Sequence, residues 1–320
     1  MWRVYWLPNR AGPEPGQSGM NQQQQNVRVS IVIAAWNGEA MLNQCLASLN
    51  GQTDADDTEI IVASNFAEGT ELLKEKFPRV RHLSLPSGTT VPELRSAGIR
   101  YSRGEVVALL EDNCLVDPNW CSEIGRAHES AHSVVGGSVE NVSVDTALDW
   151  AVYFYDYGKY MIPNQAGEVS TLSGNNVSYK RSVLKSVQDR FCEGFFETFI
   201  HEELKRRGHK LFLLPSAIVY HQKSYQARNA LAECYHHARS FAGKRISKAP
   251  LGKRLVLISG SLILPILLPA RIASTTIKKG RHLKELLRSF PHLVLLMSSW
   301  SLGEFCGYLC GEGASARMWR

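Results

Sequence analysis

The residues best equipped for chemistry stand in one short run, Glu111-Asp112-Asn113. They follow Val106 to Leu110, an apolar stretch of the kind that forms a strand buried on both faces. In an open α/β sheet, ligands sit just past the carboxyl ends of strands. Carboxylates there would stand at the mouth of a site, where oxygen ligands could hold a divalent cation. A polar turn accounts for the same residues without chemistry, with Asp117-Pro118 starting the next helix.

The flanking pattern supplies the elements that would position this run. Val27 to Ala35 is a β-branched central strand, turned by Trp36-Asn37-Gly38-Glu39 into a helix with Met41, Leu42, Cys45, Leu46 and Leu49 at helical spacing. Further strands are predicted at Glu59 to Ala63, Val80 to Leu85 and Ser133 to Val139. Further helices are predicted at Glu68 to Lys76, Pro92 to Ser102 and from Pro118. The run from Asp145 to Tyr160 is rich in Trp and Tyr, and reads either as a helix packed on the core or as an aromatic wall of a cleft. Gly174 to Tyr179 turns into a strand, Arg181 to Val187 is a short helix, and Glu197 to Arg207 is a helix ending at Gly208. Leu211 to Leu214 and Ala217 to Tyr220 are short strands broken by Pro215. Strands alternating with helices predict a doubly wound, mostly parallel α/β sheet. No glycine-rich dinucleotide or P-loop fingerprint follows the first strand.

Charge divides the chain of 320 residues. Lys223 to Arg288 holds fourteen Lys/Arg against two Asp/Glu, a local +12 that leaves −6 for the rest of a formal +6. A basic region of this kind faces an anionic surface, and its interleaved apolar runs favour membrane over nucleic acid. Seven scattered cysteines without CxxC pairs fit a reduced compartment. Residues 1–26, rich in Gln, Gly and Pro, read as a disordered segment, with Met20 an alternative start. The domain expectation is therefore 1–26, then an α/β domain over 27–222, then a basic helical region over 223–320.

Several segments in order resemble the family-2 glycosyltransferases of GT-A fold. They are Val29-Ser-Ile-Val-Ile-Ala-Ala-Trp-Asn37, Glu59-Ile-Ile-Val62, Leu94-Arg-Ser-Ala-Gly-Ile99, Ala108-Leu-Leu-Glu-Asp-Asn113, Gly174-Asn-Asn-Val-Ser-Tyr-Lys-Arg181, and Glu202 to Gly208 followed by Pro215-Ser-Ala-Ile-Val-Tyr-His221. The resemblance implies a GT-A-like sheet that binds a nucleotide-sugar donor, a UDP-sugar by preference, through Ala34, Asn37, Glu39, Ser64, Asn65, Arg95, Glu111, Asp112, Asn175 and Asn176. It implies a divalent metal, Mn or Mg, held by Asp112, Asn113 and His221, with a strand-end histidine bonded to backbone as the other reading of His221. The chain departs from the pattern at Ala63-Ser64-Asn65, at the amide of Asn113, and near Ile200-His201, where acids are usual. An inverting transfer needs a general base at the acceptor hydroxyl. Glu197 and His201, four residues apart on one helix face, are the candidates. An ordinary surface pair is the alternative.

The implied function is inverting sugar transfer to an envelope, lipid-linked or polysaccharide acceptor. A non-catalytic nucleotide-sugar-binding scaffold and a nucleotidyltransferase are the rivals. Leu255 to Ala270 is an apolar run of only sixteen residues between Arg254 and Arg271, with Pro265 and Pro269, short of the roughly twenty a spanning helix needs. The expectation is a re-entrant or interfacial hairpin on the cytoplasmic face of the membrane. Its basic linker, Arg271 to Arg288, would lie on anionic headgroups, and Ile277 to Leu287 would form an amphipathic helix. Packing as soluble core helices and two short true spans are the alternatives.

Overall fold

The computed structural model describes residues 27–52, 57–66, 70–247 and 249–318, without the side chains of 70 and 71. The expected disordered segment 1–26 lies outside the described residues. Strands β1 (Val29–Ala35), β2 (Thr58–Ser64), β3 (Val80–Ser84) and β4 (Val106–Glu111) run parallel in the order β3-β2-β1-β4. Beyond β4 the sheet continues through β8 (Val177–Lys180), β6 (Val134–Asn141), β9 (Leu211–His221) and β5 (Cys114–Val116), with β7 (Gly167–Val169) pairing on β9. β8 is antiparallel to both β4 and β6, while β6 and β9 are parallel. The result is a mostly parallel α/β sheet, as the alternating pattern implies, and it agrees with the sheet the resemblance implies.

Period-two alternation explains why helices cover both faces. Val32, Val107 and Leu109 point to one side with Ile99, Ile200 and Leu204. Those helical residues belong to α3 (Val91–Tyr101) and α7 (Glu197–Arg206). Ile31, Ile33, Ala108 and Leu110 point to the other side with Leu42, Leu46, Trp120 and Ile124. These come from α1 (Glu39–Leu49) and α4 (Trp120–Glu129). The expected strand break at Pro215 is instead one strand with a bulge, because Pro215, Ser216 and Ala217 of β9 loop out opposite the consecutive Gly137 and Ser138 of β6. The three-residue strands β5 and β7 are too short to show any period in the sequence.

The remaining helices are α2 (Thr70–Lys76), α5 (Ala147–Asp156), α6 (Arg181–Ser186), α8 (Ala227–Ile246), α9 (Leu251–Ser261), α10 (Leu264–Lys279) and α11 (Leu283–Cys310). α5, α8, α10 and α11 share a third core around Trp150, Tyr153, Phe154, Leu293 and Met297. α8 and α11 pack closely because α11 offers Gly303 and Gly307 there. A Cβ on Gly303 would meet the Tyr235 carbonyl oxygen at 2.3 Å, and one on Gly307 the Arg239 carbonyl oxygen at 2.6 Å.

Two expectations for this region are corrected. Ile277 to Leu287 is not one amphipathic helix, because Gly280 and His282 both adopt left-handed backbone and separate α10 from α11. Nor does the whole basic linker face outward. Lys279 donates to the carbonyls of Met161 and Pro163 and to Asn164, and Arg281 pairs with Glu140 at 3.2 Å. Those two cations fasten the helices to the α/β domain.

Candidate active site

A cavity of about 400 Å³ opens at the carboxyl ends of β1 and β4. It brings together Arg95, Glu111, Asn113, Asn175 and Glu197 of the expected residues, with Trp36 beside them. Its far wall is made by α5, α8, the connection leading into α8, and α11, through residues such as Tyr155, Asp156, Tyr225, Glu233 and Trp300.

Arg95 is the centre of the near wall. α3 buries it to 5 % exposure, and its two terminal nitrogens reach Glu111 Oε1 at 2.5 Å and Glu197 Oε2 at 2.7 Å. Burial opposes the Arg95 charge, but Glu197 and Glu111 outweigh it and raise its pKa. One guanidinium cannot offset two carboxylates equally. Burial leads for both. It raises the Glu111 pKa despite Arg95, whereas for Glu197 the Arg95 charge, a backbone hydrogen bond and the nearby His201 and His237 together overcome burial and lower it. Glu197 is therefore the more acidic of the two, with a side chain still 23 % exposed toward the cavity. Gly174 leaves room for this pair. A Cβ there would lie 2.8 Å from the Glu197 carboxyl carbon and 2.9 Å from an Arg95 nitrogen.

The structure separates the two candidate bases. Glu197 opens α7 at the cavity, whereas His201 lies one turn deeper, 1 % exposed, with its Nε2 2.7 Å from the Tyr179 hydroxyl. Burial lowers the His201 pKa to about 4, and the residue does not line the cavity. The expectation of a His201 base is corrected to a core histidine.

Asp112 does not face the cavity either. Its Oδ2 accepts from the backbone N–H of Trp36 and Asn37 at 2.9 and 2.7 Å, and its Oδ1 accepts from Asn37 Nδ2 at 2.7 Å. The carboxylate thus clamps the turn between β1 and α1. Burial nevertheless raises its pKa to about 6 against those donors. Asn113 Nδ2 lies 3.3 Å from His221 Nε2, and His221 is 2 % exposed under the Tyr157 ring. Burial lowers the His221 pKa to about 3, so the ring is neutral. The expected metal ligands Asp112, Asn113 and His221 therefore spend their polar atoms on protein partners. Among the described residues, no three His, Cys, Asp or Glu gather as a ligand set. The donor set does not fit a divalent ion.

The other expected donor contacts are placed as follows. Ala34 is fully buried at the end of β1, and Glu39 begins α1. Ser64 ends β2, and Asn65 donates to the Thr89 carbonyl at 2.8 Å. None of these four lines the cavity. Asn175 does, although its amide also engages Ser173 and Cys114. Asn176 is structural. It accepts from Trp120 Nε1 at 2.9 Å and donates to the carbonyls of Ser138 and Ala217, tying β8 to β6 and β9.

These roles make Asp112 separable from a metal ligand. Asp112→Asn puts an amide N–H against one of three donors, and each group left unpaired costs about 1–3 kcal/mol. The expected result is a lower melting temperature and slower turnover, with an unchanged response to added manganese. An unchanged melting temperature with an altered metal response would make Asp112 a ligand after all.

Sequence reasoning missed Asp156, Lys223, Glu233 and Arg245, which line the cavity from α5, the β9–α8 connection and α8. The aromatic run was the one available signal. The structure divides it, with Trp150, Tyr153 and Phe154 in the core and Tyr155, Asp156, Tyr157 and Tyr160 on the cavity wall. Asp156 is half-buried but enclosed, and burial followed by the charges of Glu111 and Glu233 raises its pKa to about 8.

Residues 30–188 match the family model for glycosyl transferase family 2. The putative glycosyltransferase EpsH of Bacillus subtilis (strain 168) is 24 % identical over 168 residues, which are 49 % of this chain and 48 % of that protein. The chain thus spans about half the length of this curated relative. Among solved structures, the mannosyltransferase PcManGT from Pyrobaculum calidifontis, in complex with GDP-Man and Mn²⁺, superposes with a TM-score of 0.55 at 13 % identity, covering 90 % of this chain and 88 % of that one. TarS 1–349 of S. aureus in complex with UDP-GlcNAc gives 0.52 at 14 % identity, covering 87 % and 93 %. At these identities the likeness is one of fold, the GT-A glycosyltransferase fold.

Proposed function

With residues 30–188 matching its model, the chain belongs to glycosyl transferase family 2, and on that premise we propose that it moves a sugar, with inversion, from a nucleotide-activated donor to a glycan or lipid-linked acceptor. The observation that carries this reading is the Arg95–Glu197 pair. It sets an ionised carboxylate on the wall of a cavity that continues past the strand ends into an aromatic chamber. The donor enters at the strand ends, beside Trp36 and Arg95, and a UDP-sugar is our first choice. The acceptor occupies the chamber walled by Tyr155, Tyr225 and Trp300, whose faces suit sugar rings.

Each residue's task follows from its charge and place. Glu197 takes the proton from the attacking hydroxyl as that oxygen bonds the anomeric carbon. Arg95 keeps Glu197 ionised and oriented. Negative charge gathers on the departing diphosphate. The cations Arg95, Lys159, Lys223 and Arg245 line the same cavity and oppose that charge. The nucleotide-sugar scaffold reading lacks any use for an ionised Glu197 on the cavity wall.

Asp156, protonated at neutral pH, donates a hydrogen bond toward the acceptor. Turnover that needs this proton should fall as pH rises through about 8. Asp156→Asn keeps a donor that cannot ionise, so its profile should lose that alkaline limb while turnover at pH 7 stays within about tenfold. An alkaline limb that persists in Asp156→Asn assigns it to another group. The reading as a whole is tested by screening nucleotide sugars, with and without manganese or magnesium, for acceptor-dependent release of nucleoside diphosphate. Donors that bind with no release under any acceptor would leave the scaffold reading standing instead.

A further inference from the structure

Helices α9, α10 and α11 leave an apolar surface uncovered. α9 and α10 meet at Leu262 and Ile263 with a 68° bend, and the next turn carries Pro265, which has no N–H to continue the ladder. Around the bend stand Leu255, Val256, Leu262, Ile263, Ile266 and Leu267, all exposed, with Ile266 at 77 %. α11 adds a stripe at helical spacing, Leu287, Leu295, Leu302 and Leu309, with Leu287 at 79 %. A patch of this extent on one side marks a surface that is covered in use.

The charges say what covers it. Between residues 251 and 310 the acids are Glu285 and Glu304 only. Glu304 is buried, bonded to Trp300 and Tyr308 and paired with Arg245. The exposed charges are Lys253, Arg271, Lys278, Lys284 and Arg288, all cationic. Arg271 and Lys278 lie on the same stripe of α10 as Ile266, Leu267 and Ile277, and Lys284 and Arg288 flank Leu287 on α11. An apolar face rimmed by five exposed cations, with the part-exposed Glu285 the one carboxylate beside them, complements an anionic phospholipid surface.

We propose that α9, α10 and α11 form a monotopic seat that inserts its apolar face into one leaflet of an anionic bilayer. By length and composition α11 could cross a membrane, and so could α9 and α10 as one bent pair. Docking argues against crossing. α11 lies on α8 and α5, its inward residues Leu286, Leu293, Leu296 and Met297 are in the third core, and Trp300 reaches the cavity. A spanning α11 would carry α8 into lipid with Arg239, Lys244 and Arg245. The cationic rim at the α10–α11 corner places the seat on the cytoplasmic leaflet. One helix then separates the acceptor chamber from lipid, since Leu296 and Trp300 face the cavity while Leu295 and Leu302 face outward. The seat rests on this surface alone, so it stands whether or not the transfer reading does.

The test is flotation of the full chain with preformed vesicles. Phosphatidylcholine vesicles containing phosphatidylglycerol should carry the protein, and pure phosphatidylcholine or raised salt should weaken this at least about tenfold. Ile263→Glu with Ile266→Glu should abolish flotation, and Lys278→Glu with Arg288→Glu should remove the anionic preference, with melting temperature unchanged in both. Flotation that fails for the unaltered chain, or survives the Ile263/Ile266 pair of changes, overturns the seat. A concentration-dependent dimer broken by the same pair assigns the face to a second copy and also overturns it. In intact cells, labelling of Ser274→Cys from outside above the unaltered chain's level would show that the hairpin crosses.

Discussion

Glu197→Gln should lower turnover about 10²–10⁴-fold, the range for losing a positioned general base, while donor affinity changes little. Glutamine keeps the shape and can still accept from Arg95, but its amide cannot take a proton. The loss should therefore appear in kcat with KM for the donor nearly constant, as for an interaction made only in the transition state. His201→Ala, in contrast, should act on stability. It opens a cavity in the core and strands the Tyr179 hydroxyl, so melting temperature should fall while turnover of the folded fraction persists. Equal turnover in Glu197→Gln and the unaltered chain would move the base elsewhere.

The second large effect is expected at Arg95. Arg95→Met fits the side-chain volume but leaves Glu111 and Glu197 together with no cation between them. Removing one partner of a buried ion pair costs about 3–5 kcal/mol, because the other charge stays buried and unpaired. Glu197 should then hold its proton at neutral pH, so activity should be lost along with stability. Arg95→Lys should rescue only part of both. An ammonium is a point charge and cannot present the planar fork that serves two carboxylates at once. Denaturant midpoints and turnover measured on the same three proteins check this. Stability unchanged in Arg95→Met would show that the pair is held by other contacts.

The parallel half of the sheet is legible because β1, β2 and β4 are apolar runs bounded by turn residues, and their helices carry apolar residues at helical spacing. The site is legible where a strand end positions it, at Glu111 and Asn113. Roles are less so. Asp112 and Glu111 are neighbours in sequence, yet the pleat sends Glu111 toward Arg95 and Asp112 back to the β1 turn. Glu197 and His201 share a helix face, yet four residues advance about 6 Å along the axis. That separates a cavity wall from a core position. The far wall of the cavity has almost no local signature, because Glu233, Arg245 and Trp300 reach it only through the packing of α8 and α11 on α5. The bend at Leu262 shortens the apparent apolar span and follows from Pro265, but the length of α11 is hidden by Pro291, which the helix accommodates.

The most direct test is the configuration of the first product formed. With a donor that the screen shows to be used, proton NMR of the fresh glycoside reads the anomeric coupling before any exchange. A single displacement assisted by Glu197 inverts that centre, so an α-linked nucleotide sugar should give the β-linked product. Retention of configuration would contradict the single-base mechanism and the role given to Glu197.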